Sequence, residues 1–200
     1  MKKWESHFRD NDGNLFPQQP LIIFFKRNFS KKKKKLKILD LGCGSGSSMM
    51  LLDEKNICVD LVDASSTAID KAKKKYSKLP NVSFYNMSFE DFLKKKENHY
   101  DLIIDSTSLQ HIENLKNLSQ VYRMIYKNLK KNGIFFTIHI NSSNGLHDES
   151  FKTIKLSKNK IKNFIISNRF SKINYNIYYY TEENSKKYIK FNVISSVKTK

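Results

Sequence analysis

The sequence predicts an α/β protein in which a parallel sheet is covered by helices on both faces, and three observations carry that prediction. Apolar runs of strand length recur at 38–41, 57–62, 81–86, 100–105 and 134–140, with stretches of helical spacing between them. The first run, Ile38-Leu39-Asp40-Leu41, ends in Gly42-Cys43-Gly44-Ser45-Gly46 and enters a helix-like stretch. That geometry holds a nucleotide-like ligand against bare backbone. The second run ends at Asp63, and an acidic residue roughly 20 positions past a glycine loop is placed to accept hydrogen bonds from ribose hydroxyls. The length of 200 residues suits one domain, read as an N-terminal lid and helix over 1–35 and a core over 36–200.

Taken in order, Leu21 to Phe25 followed by Lys26, Arg27 and Asn28 predicts a helix that starts after Pro20 and ends in positive charge, favourable for its dipole. The run Lys31 to Lys35 then leads into the first strand, which puts it at the edge of the sheet opposite the carboxyl ends where ligands bind. In the glycine loop, Ser47 stands where a dinucleotide fingerprint has its third glycine, and no Gly-Lys-Ser or Gly-Lys-Thr follows. A dinucleotide site and a P-loop are thereby disfavoured. A short helix is expected over 47–52, and a longer one over 65–78 with Ala68, Ile69, Ala72 and Tyr76 on one face and Ser65 or Ser66 as its N-cap.

After the third strand, Phe89 and Phe92 sit on a short helix. Leu115 to Leu129 carries apolar residues at 115, 118, 121, 125 and 129, the stripe of an amphipathic helix, with Asn132 or Gly133 as a left-handed C-cap. Beyond the fifth strand, 156–164 reads as a helix, and 173–180 and 187–197 as β-runs joined by the polar turn 181–185.

Ile38-Leu39-Asp40-Leu41-Gly42-Cys43-Gly44-Ser45-Gly46 resembles motif I of the class I S-adenosylmethionine-dependent methyltransferases. Tyr100-Asp101-Leu102-Ile103-Ile104-Asp105 with its sequel Ser106 to Ile112 is similar to the same family's fourth strand and the histidine-bearing stretch after it. The resemblance implies a Rossmann-like doubly wound seven-stranded sheet of order 3-2-1-4-5-7-6, parallel except for a C-terminal antiparallel strand. It implies S-adenosylmethionine as cofactor, with Asp40, Gly42, Cys43, Gly44, Gly46, Asp63 and Ala64 at its methionine and ribose ends. Ser88, Phe89 and Glu90 would stand at the adenine, although the family usually has Gly-Asp where Met87-Ser88 stand. Asp105 or Ser106 would face the methyl group or the amino-acid portion of the donor.

Trp4 to Pro17 resembles the short lid of small-molecule members, with Trp4 either covering the donor or anchoring the segment. The chain has neither an Asn-Pro-Pro-Tyr or Asp-Pro-Pro-Tyr motif after the fourth strand nor a Pro-Cys motif, which disfavours the nucleic-acid and protein amino-methylating types and cytosine C5 chemistry. The reading that results is O-methylation of a small-molecule hydroxyl, with a sugar or surface-glycan precursor as one such acceptor. His111 or His139 would be the base, since a neutral imidazole accepts a hydroxyl proton. His147-Asp148-Glu149 reads as a surface loop, because three adjacent residues cannot all point inward, and no metal is expected.

The net charge of +18 and pI near 9.7 raise nucleic acid as a partner. The excess is nearly all lysine, however, with arginine only at Arg9, Arg27, Arg123 and Arg169, whereas base and phosphate recognition favours the bidentate guanidinium. An RNA methyltransferase therefore stays as an alternative that rests on charge alone. A non-catalytic S-adenosylmethionine-binding protein is another, suggested by Ser88. Two cysteines without zinc spacing, no secretory pattern at the start and no apolar run near the roughly 18 residues of a membrane span fit a cytoplasmic protein.

Overall fold

In the computed structural model, residues 2–29, 35–52, 56–94, 99–143, 152–181 and 188–199 are described. Seven strands form one sheet of order β3-β2-β1-β4-β5-β7-β6. The strands are β1 (Leu36–Leu41), β2 (Ile57–Asp63), β3 (Val82–Asn86), β4 (Tyr100–Ser106), β5 (Leu129–Ile140), β6 (Ser171–Thr181) and β7 (Tyr188–Val197). The first five run parallel, and β7 lies antiparallel between β5 and β6. This is the topology expected from the sequence.

Helices α1 (Lys2–Asp10) and α2 (Gln19–Phe29) precede the sheet. Between strands lie α3 (Met49–Leu52), α4 (Ser66–Tyr76), α5 (Phe89–Leu93), a 3-10 turn (Leu109–His111), α6 (Leu115–Asn128) and α7 (Lys158–Ser167).

Alternation along the strands divides the core in two. Ile38, Val59, Leu61, Leu102, Ile104 and Phe136 point to one face and pack on Leu21, Phe24 and Phe25 of α2 and Ile69 and Ala72 of α4. Leu39, Leu41, Val62, Ile103 and Phe135 point to the other and pack on Phe92 of α5, the Leu118, Val121, Tyr122 and Ile125 stripe of α6, and Ile161 and Ile165 of α7. A parallel sheet needs both layers because both of its faces are apolar.

Two local expectations are corrected. Helix α6 ends at Asn128 and not in a left-handed cap at Asn132 or Gly133; Leu129 is already extended and pairs with Tyr100. The cap is supplied from elsewhere, by the Lys198 ammonium, which donates to the Leu129 carbonyl at 2.8 Å. Asn132 does take a positive φ of 62°, but within β5, where the register against β4 shifts. Gly133 has no positive φ; a Cβ there would stand 2.8 Å from the Lys130 carbonyl oxygen. The helix expected over 47–52 shrinks to α3, because Gly46 to Ser48 is turn.

Lys35 sits just before β1, at the end opposite the glycine loop, while Lys31–Lys34 and the His147-Asp148-Glu149 cluster lie outside the described residues. Among the described residues, no helix is long and apolar enough to cross a membrane and no group of three or more His, Cys, Asp or Glu could hold a metal ion.

Candidate active site

At the carboxyl ends of β1, β2 and β4 a cleft of about 840 Å³ opens, roofed by α1 and the segment that follows it. Its floor is the glycine loop. Gly42, Gly44 and Gly46 have φ of 67°, 53° and 83°, the left-handed region that L-residues avoid. Their reasons differ. A Cβ at Gly42 would meet Ser108 Oγ at 2.1 Å, one at Gly44 the Phe8 ring at 3.0 Å, and one at Gly46 the Tyr76 ring at 3.0 Å. The glycines at 42 and 44 let other parts of the protein close on the loop, whereas Gly46, expected at the ligand, packs on α4 and does not line the cleft.

Asp63 closes β2 beside that floor. Its Oδ2 accepts from the Gly44 N–H at 3.0 Å and its Oδ1 from the Ser65 N–H at 2.9 Å. Burial pushes its pKa up, with those backbone donors opposing. Each oxygen can accept a further hydrogen bond, and Asp63 lines the cleft. Asp40 also lines the cleft and accepts from the Ser48 hydroxyl; burial raises its pKa to about 7. Cys43 lines it as a buried thiol whose pKa burial pushes up.

On the next wall stand Ala64, Ser88, Phe89 and Glu90. The Ser88 hydroxyl accepts from the Asp91 N–H at 3.2 Å and donates to the Asp91 carboxylate at 2.9 Å, so it is engaged as the N-cap of α5. The Phe89 ring reaches over Gly42, and Glu90 is the carboxylate of that wall.

Asp105, expected to face the donor, does not line the cleft. It is fully buried, with Oδ1 accepting from the Ser108 and Leu109 N–H groups at 2.8 and 3.0 Å and Oδ2 from the Thr137 hydroxyl at 2.6 Å. Burial raises its pKa to about 6. It shapes the loop that brings Ser106, Thr107 and Ser108 to the cleft.

The two candidate bases separate. His111 lines the cleft, its ring 4.9 Å from that of Trp4 in an edge contact. His139 does not. It is fully buried in β5, its Nε2 is 2.7 Å from the Ile154 carbonyl oxygen, and burial lowers its pKa to about 4. A neutral Nε2–H donates there, which ties the chain beyond β5 to the sheet and removes His139 from contact with an acceptor.

The roof contains residues the sequence reading passed over. The expected lid is partly a helix: Trp4, His7 and Phe8 share one face of α1 at helical spacing and line the cleft. Glu5 accepts from the Thr67 N–H at 3.2 Å, from the Thr67 hydroxyl, and from Ser66 Oγ at 3.1 Å, pinning α1 to the N-terminus of α4. Those bonds, led by the Thr67 hydroxyl, hold its pKa down at about 2. Farther along, Lys71 bonds Asp12 and the Asn11 carbonyl, each at 2.9 Å, and Ser45 donates to the Asp12 carbonyl at 2.7 Å. Gln18 lines the cleft with its Oε1 buried and without a hydrogen-bond partner among the described residues. The spacing of Trp4, His7 and Phe8 was a readable signal for the helix; nothing in the sequence marked Gln18.

The charge of the cleft is the reverse of the chain's. Asp12, Asp40, Asp63 and Glu90 line it, and among the described residues no lysine or arginine does. A family model described as a methyltransferase domain matches residues 32–191, which includes the glycine floor, Asp63 and the β4 sequel. The chain belongs to the class I S-adenosylmethionine-dependent methyltransferases.

Among relatives of this chain, a malonyl-[acyl-carrier protein] O-methyltransferase from Ilyobacter polytropus is 35% identical over 83 residues, covering 40% of this chain and 30% of that protein. A ubiquinone biosynthesis O-methyltransferase from Pelagibacter ubique is 29% identical over 127 residues, covering 63% of this chain and 51% of that protein. The chain thus spans a third to a half of the length of these curated relatives. In fold it is similar to a SAM-dependent methyltransferase from Methanosarcina mazei, with a TM-score of 0.71 at 17% identity over 91% of this chain and 98% of that one. The four carboxylates and the unpartnered Gln18 oxygen suit a cationic donor, which carries a sulfonium and an ammonium.

Proposed function

We propose that this methyltransferase moves the methyl group of S-adenosylmethionine to a hydroxyl of a small-molecule acceptor. The observation that carries this reading is the acidic cleft in a strongly basic protein: its lining favours a small cation over a polyphosphate chain. Asp40, Gly42, Cys43, Gly44 and Gln18 would surround the methionine end of the donor, Asp63 and Ala64 the ribose, and Phe89 and Glu90 the adenine. Ser106, which lines the cleft, would stand near the amino-acid portion or the methyl group. Bound S-adenosylmethionine supplies a methyl on a positively charged sulfur, an electrophile that transfers in line to an approaching oxygen.

The chain's own contribution is placement, exclusion of water by α1, and acceptance of a proton. His111 is the base, the one of the two candidate histidines that lines the cleft, in edge contact with Trp4. The two O-methyltransferase relatives support oxygen as the acceptor atom, and the Trp4, His7 and His111 rings suit a neutral molecule with a flat or ring-shaped apolar face; a sugar is one such class.

Calorimetry with S-adenosylmethionine and with its demethylated product should show binding by the wild type and at least a tenfold loss in Asp63→Ala. Absence of donor binding, or binding indifferent to Asp63, would refute the donor site. A methyl-transfer screen of sugars, phenols, lipids, amines and RNA then addresses the acceptor, and retained donor affinity with lost turnover in His111→Ala would support the base. Methylation of RNA alone would favour the charge-based alternative and overturn this reading.

A further inference from the structure

Gln110 lies beside His111 on the 3-10 turn and is buried, 4% exposed. The Ile140 N–H meets its Oε1 at 2.8 Å. A backbone N–H only donates, so the amide oxygen belongs at that contact and the amide nitrogen is the atom turned to His111 Nε2, at a long 3.4 Å. An amide nitrogen offers only protons, which calls for a lone pair on Nε2. At the other end of the ring, Nδ1 lies 3.3 Å from the Lys152 carbonyl oxygen, which only accepts and therefore calls for a proton on Nδ1. The two contacts agree on one tautomer. Gln110 and His111 line the cleft and Lys152 does not, so the Nε2 end of the ring is the one flanked by a cleft residue.

We infer that Gln110 is a positioning residue that, braced by Ile140, holds His111 in the Nδ1–H tautomer with its basic nitrogen toward the acceptor. This rests on the assignment of His111 as base made above. During transfer the acceptor hydroxyl replaces the long amide contact. As its oxygen bonds the methyl carbon and the carbon–sulfur bond breaks with its electron pair going to sulfur, the hydroxyl proton passes to Nε2 and leaves an imidazolium. Before that moment the amide protons oppose charge on the ring. His7 of α1 meets the indole of Trp4, which also meets His111, and His139 of β5 interacts electrostatically with His111. Lys152 contributes its carbonyl and is exposed, as is Glu113 two residues on.

Long-range proton–nitrogen NMR on the intact protein, with the His111 signals identified by their loss in His111→Gln, reads the tautomer without any acceptor. The wild type near neutral pH should show the proton on Nδ1. Gln110→Glu keeps an oxygen for Ile140 and turns a carboxylate to Nε2, so the proton should appear on Nε2 and the titration midpoint should rise by about one pH unit or more. A wild type protonated on Nε2, or an unchanged tautomer and midpoint in Gln110→Glu, would overturn the inference. The wild-type spectrum decides even where the variant fails to fold. Full turnover by His111→Ala with the wild-type tautomer as expected leaves the positioning of the ring standing and overturns its use as the base.

Discussion

Gly42→Ala tests the packing of the glycine floor against the β4 sequel. The added Cβ would stand 2.1 Å from Ser108 Oγ and 2.4 Å from Ser108 Cβ, on a backbone with φ of 67°. The left-handed conformation costs an L-residue about 1–2 kcal/mol, and forcing atoms into a filled space about 1–3 kcal/mol more. The sum, about 2–5 kcal/mol, is a large share of the ~5–15 kcal/mol that holds a domain together. Ser108→Gly removes the opposing atoms but leaves the backbone strain. In a double-mutant cycle measured by urea unfolding, the pair should therefore recover about 1–3 kcal/mol relative to additivity. Donor affinity by calorimetry should follow the same order, since Gly42 and Ser108 share the cleft wall. Gly42→Ala within about 0.5 kcal/mol of wild type, or a double variant with no recovery, would refute the account of why position 42 is glycine.

Donor affinity should rise with pH between about 6 and 8, because Asp40 ionises near 7 and a cationic donor binds its charged form more tightly. Titrations with S-adenosylmethionine and its demethylated product, which lacks the sulfonium, should differ in this slope. Asp40 also titrates against folding: its folded pKa lies above the unfolded value, so the folded state holds a proton that the unfolded chain releases, and stability should fall as pH rises from about 4 to about 7. Asp40→Asn should flatten that trend in unfolding curves at pH 5 and 8. Glu5 has the opposite sign, with a folded pKa depressed to about 2, so its hold on α4 is complete above the usual glutamate range and is lost as pH falls toward 2. Glu5→Gln should loosen the roof at neutral pH, seen as a red shift and weaker ligand response in the emission of Trp4, the single tryptophan.

The strands were legible because an apolar run four to seven residues long between polar helices has few alternatives, and the glycine loop because positive φ leaves few residue types to choose from. Asp63 followed from its spacing to that loop. Asp105 and Gly46 did not follow in the same way. Both sit in motifs that mark the site, yet one carboxylate turns inward to three donors and the glycine accommodates Tyr76. His111 and His139 were equal candidates by position, since one follows β4 and the other lies near the carboxyl end of β5.

By itself the sequence determined the alternation of elements, the glycine floor, the acidic end of β2 and thus the family of the chain, because these depend on local backbone geometry and periodic burial. Only the tertiary structure decided which polar groups meet the cleft. That choice depends on how far each side chain is already satisfied by donors and acceptors distant in sequence: Asp105 by Thr137, His139 by Ile154, Glu5 by Thr67 and Gln110 by Ile140. A lone polar residue carries no record of such partners. The acidic lining of a basic chain has the same origin, since folding gathers Asp12, Asp40, Asp63 and Glu90 around the cleft and leaves lysine and arginine out of its wall among the described residues.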